Sequence, residues 1–189
     1  MLDVTRTRRR AFLVGLFILT AYGVLFSEAT DSALVVMIAD VISGLSVMGI
    51  AVLILPYFVN IDKMLANLYL VARLVEGGLM VLGGFFALSA TTESWRGFIY
   101  DNVHIYAFIL GGFLFYWLLY KTKLVPRFIS IWGSVAIGVL LVSTAAKLIH
   151  ITIPVLDYLL ILIITNEFFL AIWLMVKGFK FETTQEVRS

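Results

Sequence analysis

Six stretches of the chain, at about 11–27, 33–58, 65–90, 103–120, 128–149 and 154–177, are each apolar over nearly the length that a lipid bilayer demands. A hydrocarbon core about 30 Å thick is crossed by roughly 20 residues at helical rise. In that medium every backbone N–H and C=O must be satisfied within the spanning element, which leaves helices or a closed barrel. Strands of about ten residues alternating polar and apolar, the mark of a membrane barrel, do not occur. The expectation is an all-α, polytopic bundle of six transmembrane helices forming a single domain over residues 1–189.

Composition agrees. Hydrophobic residues make up 62% of the chain and charged residues 14%, against about 25% charged in a typical globular protein. That leaves too little polar surface to coat a particle in water. Fifteen Phe, eight Tyr and four Trp supply bulk for lipid contact and interfacial anchoring. Cysteine is absent, so disulfides, thiolate metal sites and cysteine nucleophiles are excluded. Arg6, Arg8, Arg9 and Arg10 precede the first apolar stretch as they would in a signal peptide. No small-x-small cleavage site closes that stretch, and it is expected to stay as the first helix. Pro56 is expected to break the second helix near its end, and Pro154 to open the sixth.

Basic residues orient the spans, because loops on the cytoplasmic side retain Lys and Arg. The four N-terminal arginines, Lys63, then Lys121, Lys123 and Arg127, then Lys177, Lys180 and Arg188 all fall on one side of a six-span arrangement. The opposite side has Glu28 and Asp31 in its first loop, and Arg96 beside Glu93 and Asp101 in its second. Its third connection carries Lys147, His150 and Asp157. Both termini are therefore expected in the cytoplasm, with the cell membrane as location and the lipid bilayer as first partner. The scattered basic residues read as topology determinants, with no nucleic-acid surface.

Against this background a few side chains stand out. Ionisable groups within a span cost several kcal/mol unless paired or hydrated, so each is a candidate for function. Arg73 and Glu76 sit one turn apart on one face of the third helix. Asn166 and Glu167 lie near the middle of the sixth, and Asp40 lies in the outer part of the second. All are expected to face the bundle interior. One arginine against Glu76 and Glu167 leaves an unmatched carboxylate before Asp40 is counted. A proton, a bound cation or a water-filled cavity must make up the difference. Alternatively, Arg73 and Glu76 form a structural pair and Glu167 closes a network between helices 3 and 6.

Near the outer boundary Asp40, Asp101, His104, Lys147, His150 and Asp157 gather from four helices. His104, His150 and Asp157 are of the types that ligate a divalent metal, but without the tight spacing of a metal motif they read as solvated interface groups or the mouth of a cavity. Gly77 and Gly84 in helix 3, Gly44 and Gly49 in helix 2, Gly111 and Gly112 in helix 4, and Gly133 and Gly138 in helix 5 mark close helix approach. Phosphate-loop, dinucleotide and nucleophile-elbow motifs are missing, and no cofactor is implied.

Three blocks of sequence resemble the bacterial and archaeal membrane proteins grouped as the domain-of-unknown-function family DUF4386. They are Leu68-Tyr69-Leu70-Val71-Ala72-Arg73-Leu74-Val75-Glu76, then Leu118-Leu119-Tyr120-Lys121 through Leu124-Val125-Pro126-Arg127-Phe128, and Asn166-Glu167 through Lys177-Gly178-Phe179. The resemblance implies the multi-helix architecture, with Arg73, Glu76 and Glu167 as its characteristic polar set. It implies no activity, substrate or cofactor.

The functional expectation is a protein that binds or translocates a small molecule, ion or lipid-like ligand, or a proton, through a pocket on Arg73, Glu76 and Glu167. In that reading Glu167 is the titrating member. The competing expectation is a structural or partner-binding subunit in which the same charges lock helices. An intramembrane enzyme ranks third for want of a nucleophile. A cavity at the cluster favours the first expectation, and a dry, fully paired cluster the second.

Overall fold

The computed structural model describes residues 4–151, 159 and 161–180. Helices α1 (Val4–Ala21), α2 (Ala33–Phe58) and α3 (Lys63–Phe86) open the chain, with a 3-10 segment over Tyr22–Ala29 after the first. A 30-residue helix over Glu93–Thr122 follows. It is built from α4 (Glu93–Ile99), a π-helical turn over Tyr100–His104 and α5 (Ile105–Thr122). Helices α6 (Arg127–Leu148) and α7 (Ile161–Val176) complete the described chain.

Four of these are long and apolar enough to cross a membrane: α2, α3, the Glu93–Thr122 helix and α6. The apolar α7 has 16 described residues. The expected opening of the sixth helix at Pro154 lies outside the described residues. α1 begins at Val4, before the expected boundary at 11, and carries the arginines on its first turns. Hydropathy marks where lipid is favourable, whereas arginine is itself a good helix former.

Two expectations need correction. Pro56 does not break α2, which runs through it to Phe58. The missing proline N–H leaves only the Val52 carbonyl without its usual donor, and it falls in the last turn, where a helix loses least. Asn60 Nδ2 donates to the Pro56 carbonyl at 3.0 Å just beyond. The stretch before residue 103 is likewise no loop, since helix begins at Glu93. Its polar residues lower hydropathy without opposing helix formation.

Helix ends follow local chemistry. Asp62 caps α3 by accepting the Leu65 N–H at 2.9 Å, a bond that contributes about 1 kcal/mol. Lys123 takes a left-handed conformation (φ 54°) to end α5, and Pro126 precedes α6. Lys180 N–H donates to the Leu124 carbonyl at 2.7 Å, tying the end of the described chain to the α5–α6 connection.

Each long helix packs on its neighbour in the chain, and α7 returns to pack on α1, so the bundle is a ring in the order α1, α2, α3, α5, α6, α7. Between lipid-facing helices there is little hydrophobic driving force, so close packing must hold such a ring together. Glycines permit it. A Cβ on Gly44 would meet the Gly77 carbonyl at 2.5 Å, and one on Gly77 would meet the Gly44 carbonyl at the same distance. The α2 and α3 backbones therefore touch directly. Thr20 and Ser46 add a hydroxyl bond of 2.8 Å between α1 and α2.

Burial runs opposite to that of a water-soluble protein. Leu45, Val52, Val71, Trp117, Val135 and Val142 are each at least half exposed, while Asp40, Glu76 and Asn166 are almost wholly buried. An apolar outside with charges inside is what lipid selects.

Candidate functional site

At one end the ring is solid. Phe58, Tyr69 and Phe115 stack and abut with ring centroids 5.3–6.2 Å apart. Tyr116 packs on Phe115 at 5.3 Å. Ile54, Leu118, Leu119, Ile129 and Leu174 fill the rest. Tyr57 on Phe179 closes that end.

Toward the other end the ring encloses a cavity of about 230 Å³. Its walls are largely aliphatic and aromatic, and the polar groups on it are Tyr22, Arg73, Glu76, His104 and Glu167. Three of these belong to the polar set expected from sequence.

Arg73 sits where the solid and hollow parts meet. Its Nη1 donates to both carboxylate oxygens of Glu76, at 3.0 and 2.8 Å. The i, i+3 spacing on α3 makes that geometry available within one helix. The guanidinium carbon also lies 5.7–5.8 Å from the ring centroids of Tyr69, Phe108 and Phe115, each within the range of cation–π attraction. Gly111 on α5 leaves room for the pair. A Cβ there would lie 3.1 Å from Arg73 Nε and 3.3 Å from Glu76 Oε2.

Glu167 is held differently. Its Oε2 accepts the Tyr22 O–H at 2.8 Å, and Tyr22 packs on Phe168 at 4.9 Å. The 3-10 segment after α1 thus carries a tyrosine to the α7 carboxylate. Glu167 is half-buried and borders the cavity.

His104 also lines the cavity, between Tyr100 (5.0 Å) and Phe108 (6.4 Å). It closes the π-helical turn. Such insertions shift the phase of a helix and recur at functional sites. Sequence reading places His104 near the outer boundary, among interface groups or the mouth of a cavity, and the π turn that it closes is invisible to a 3.6-residue period. Tyr22 was missed for a similar reason, as a tyrosine at the end of an apolar stretch reads as an interfacial anchor.

The remaining candidates lie elsewhere. Asp40 receives Arg96 through Nε at 2.8 Å and Nη2 at 3.2 Å, and Arg96 stacks on Tyr100 at 4.8 Å. That pair joins α2 to the start of the Glu93–Thr122 helix. Asn166 Nδ2 donates to the Ile129 carbonyl at 3.0 Å and binds α7 to α6. His150 is exposed with φ 58° at the end of α6, and Asp157 lies outside the described residues. Among the described residues no three His, Asp or Glu side chains converge to hold a metal ion.

Residues 95–178 match the family described as Domain of unknown function (DUF4386). The match takes in most of the Glu93–Thr122 helix, all of α6 and all of α7, and with them His104, Gly111 and Glu167. Of the three blocks of resemblance, the second lies within it and the third ends one residue beyond it. The block around Arg73 and Glu76 lies before it. No curated protein and no solved structure matches the chain.

Proposed function

With residues 95–178 assigned to the DUF4386 family, we propose that this chain is a multi-pass protein of the cell membrane that takes a small molecule or ion into the cavity at the centre of its ring. Six helices cross the bilayer in this reading, α1 with its 3-10 extension and α7 joining the four long spans. Both termini are cytoplasmic, as the Arg and Lys distribution favours. The cavity then opens away from the cytoplasm, and the aromatic plug closes its cytoplasmic side.

The observation that carries this reading is the position of Glu167. A purely structural role fits Arg73 and Glu76, which satisfy each other against aromatic rings. It does not account for a second carboxylate on the wall of a cavity, bonded to one neutral hydroxyl. Pockets that bind small molecules combine apolar walls with a few polar groups at fixed places, and this cavity has that composition.

The absence of cysteine offers a direct test, because any introduced thiol is the sole one. Ala21→Cys and Ile164→Cys place it on the cavity wall, and Ile54→Cys places it in the plug. A small membrane-impermeant thiol reagent added from outside the cell should modify the first two at least about tenfold faster than the third, a difference of about 1.4 kcal/mol in effective access. Equal rates at all three positions would reject the open cavity.

A further inference from the structure

We propose that the occupant of this cavity is an organic monocation, an amine with an apolar body whose ammonium group pairs with Glu167. This rests on the reading of the cavity as a ligand site and adds the chemical class of the ligand.

The formal charges on the wall are one guanidinium and two carboxylates. The charge of the guanidinium is already matched by Glu76. Arg73 Nη1 binds both oxygens of Glu76 and aromatic rings lie about its carbon, while the buried Nε has no hydrogen-bond partner among the described residues. Arg73 and Glu76 together present almost no net charge. Glu167 has no such partner and takes one hydrogen bond, from the uncharged Tyr22. Among the described lining residues no further Lys or Arg is present to match it. A ligand bringing one positive charge completes the count, and an ammonium group brings three donors with it.

The walls fit the rest of such a molecule. Tyr22, Phe108 and Phe115 add aromatic surface to the wall. Ile18, Val47 and Leu170 offer aliphatic surface to a hydrocarbon body. An anionic ligand would meet the Glu167 and Glu76 carboxylates on the same wall and would add to an excess of negative charge. A neutral ligand would leave the Glu167 charge unmatched in an apolar surround, where charge is costly.

Three probes of one size decide between these. Hexylammonium, hexanol and hexanoate are titrated against the purified full-length protein in detergent micelles, with binding followed by calorimetry and by the shift in melting temperature. Hexylammonium is expected to bind at least about tenfold tighter than either of the others. Glu167→Gln keeps the shape of the side chain and should abolish that preference. Ile164→Trp fills the cavity and should abolish binding of all three.

Hexanol binding as tightly as hexylammonium would overturn the cation while leaving the cavity reading intact. Hexanoate binding tightest would overturn it in favour of Arg73 as the anchor. An undiminished amine preference in Glu167→Gln would overturn the assigned counter-ion. No probe binding better to wild type than to Ile164→Trp would overturn the cavity reading as well. Should Glu167→Gln not fold, the order of the three probes on the wild-type protein decides alone.

Discussion

Where α2 ends and α3 begins, the centre of the ring is filled by Phe58, Tyr69, Phe115 and Tyr116, all buried to within a few per cent. Where Tyr22 and His104 face inward, the same helices enclose about 230 Å³. The difference lies in side chains and in the backbone alike. In the solid end, large flat rings from α2, α3 and α5 meet at 5.3–6.2 Å. In the hollow end, α1 gives way to a 3-10 segment and α5 is preceded by a π turn. Two departures from regular helix thus border the cavity, and none borders the plug. A ring of regular helices closes on itself, and this chain departs from regularity where it stays open.

The largest effect is expected at the seam between the two regions. Arg73→Met removes the ion-pair partner of Glu76 and leaves a buried carboxylate, which costs about 3–5 kcal/mol. Arg73→Met with Glu76→Leu removes both charges and should recover most of that loss, because a buried pair contributes little beyond an apolar replacement of similar volume. Unfolding midpoints in detergent for both singles and the double form the cycle. A double variant no more stable than the singles would make the pair an obligatory part of the plug, and the seam would move into the solid end.

Next comes the plug. Phe58→Ala should destabilise by about 3 kcal/mol, toward the low end for buried Phe. Its side chain stays in lipid after unfolding, so packing is lost and little transfer energy with it. Ile164→Ala, on the cavity wall, should cost about 1 kcal/mol or less, because no close-packed site is emptied there. Similar costs at the two positions, read from the same unfolding curves, would abolish the distinction between a filled end and a hollow one.

Much of this was readable in the sequence, and the limits are physical. The apolar stretches mark α2, α3, α5 and α6 to within a few residues, because apolar side chains dominate each of them. Arg73, Glu76 and Glu167 stand out because charge inside a span is costly, and the structure brings all three to one cavity. Asp40 and Asn166 stand out for the same reason, yet they bind other helices together. A buried polar residue announces only that it has a partner, and the identity of that partner is tertiary. Arg96 lies 56 residues from Asp40, and Tyr22 lies 145 residues from Glu167. No local pattern carries such pairings. The π turn at Tyr100–His104 is invisible for another reason, since the sequence there differs little from that of an ordinary polar helix start.

Gly111→Ala is the next smaller effect and tests the seam from the α5 side. The added methyl would stand 3.1–3.3 Å from Arg73 and Glu76, tighter than ordinary contact. Overpacking of this kind costs about 1–3 kcal/mol, against a gain of up to about 1 kcal/mol in helix propensity. A net loss of about 1 kcal/mol is expected. By contrast Gly138→Ala, where a Cβ meets nothing within 4 Å, should stabilise by several tenths. The comparison of the two melts separates a glycine needed for room from one that is not. Stabilisation at both positions would mean that the ion pair has slack and that the seam is softer than its distances suggest.

The sharpest effect on ligand is expected from Tyr22→Phe. The ring stays on Phe168 and only the O–H to Glu167 is lost, a change of about 1.5 kcal/mol for a hydrogen bond to a charged group whose carboxylate still borders the cavity. Removing that donor leaves Glu167 with less neutral support and a greater need for a cation. The variant should therefore melt slightly earlier than wild type without ligand and gain more from hexylammonium, with affinity raised by about two- to fivefold. A scaffold carboxylate behaves otherwise: it loses the same hydrogen bond, and the amine restores nothing. Titration of Tyr22→Phe beside Phe58→Ala completes the contrast. In the plug variant the amine should raise the melting temperature only as much as in wild type, whereas in Tyr22→Phe it should raise it further.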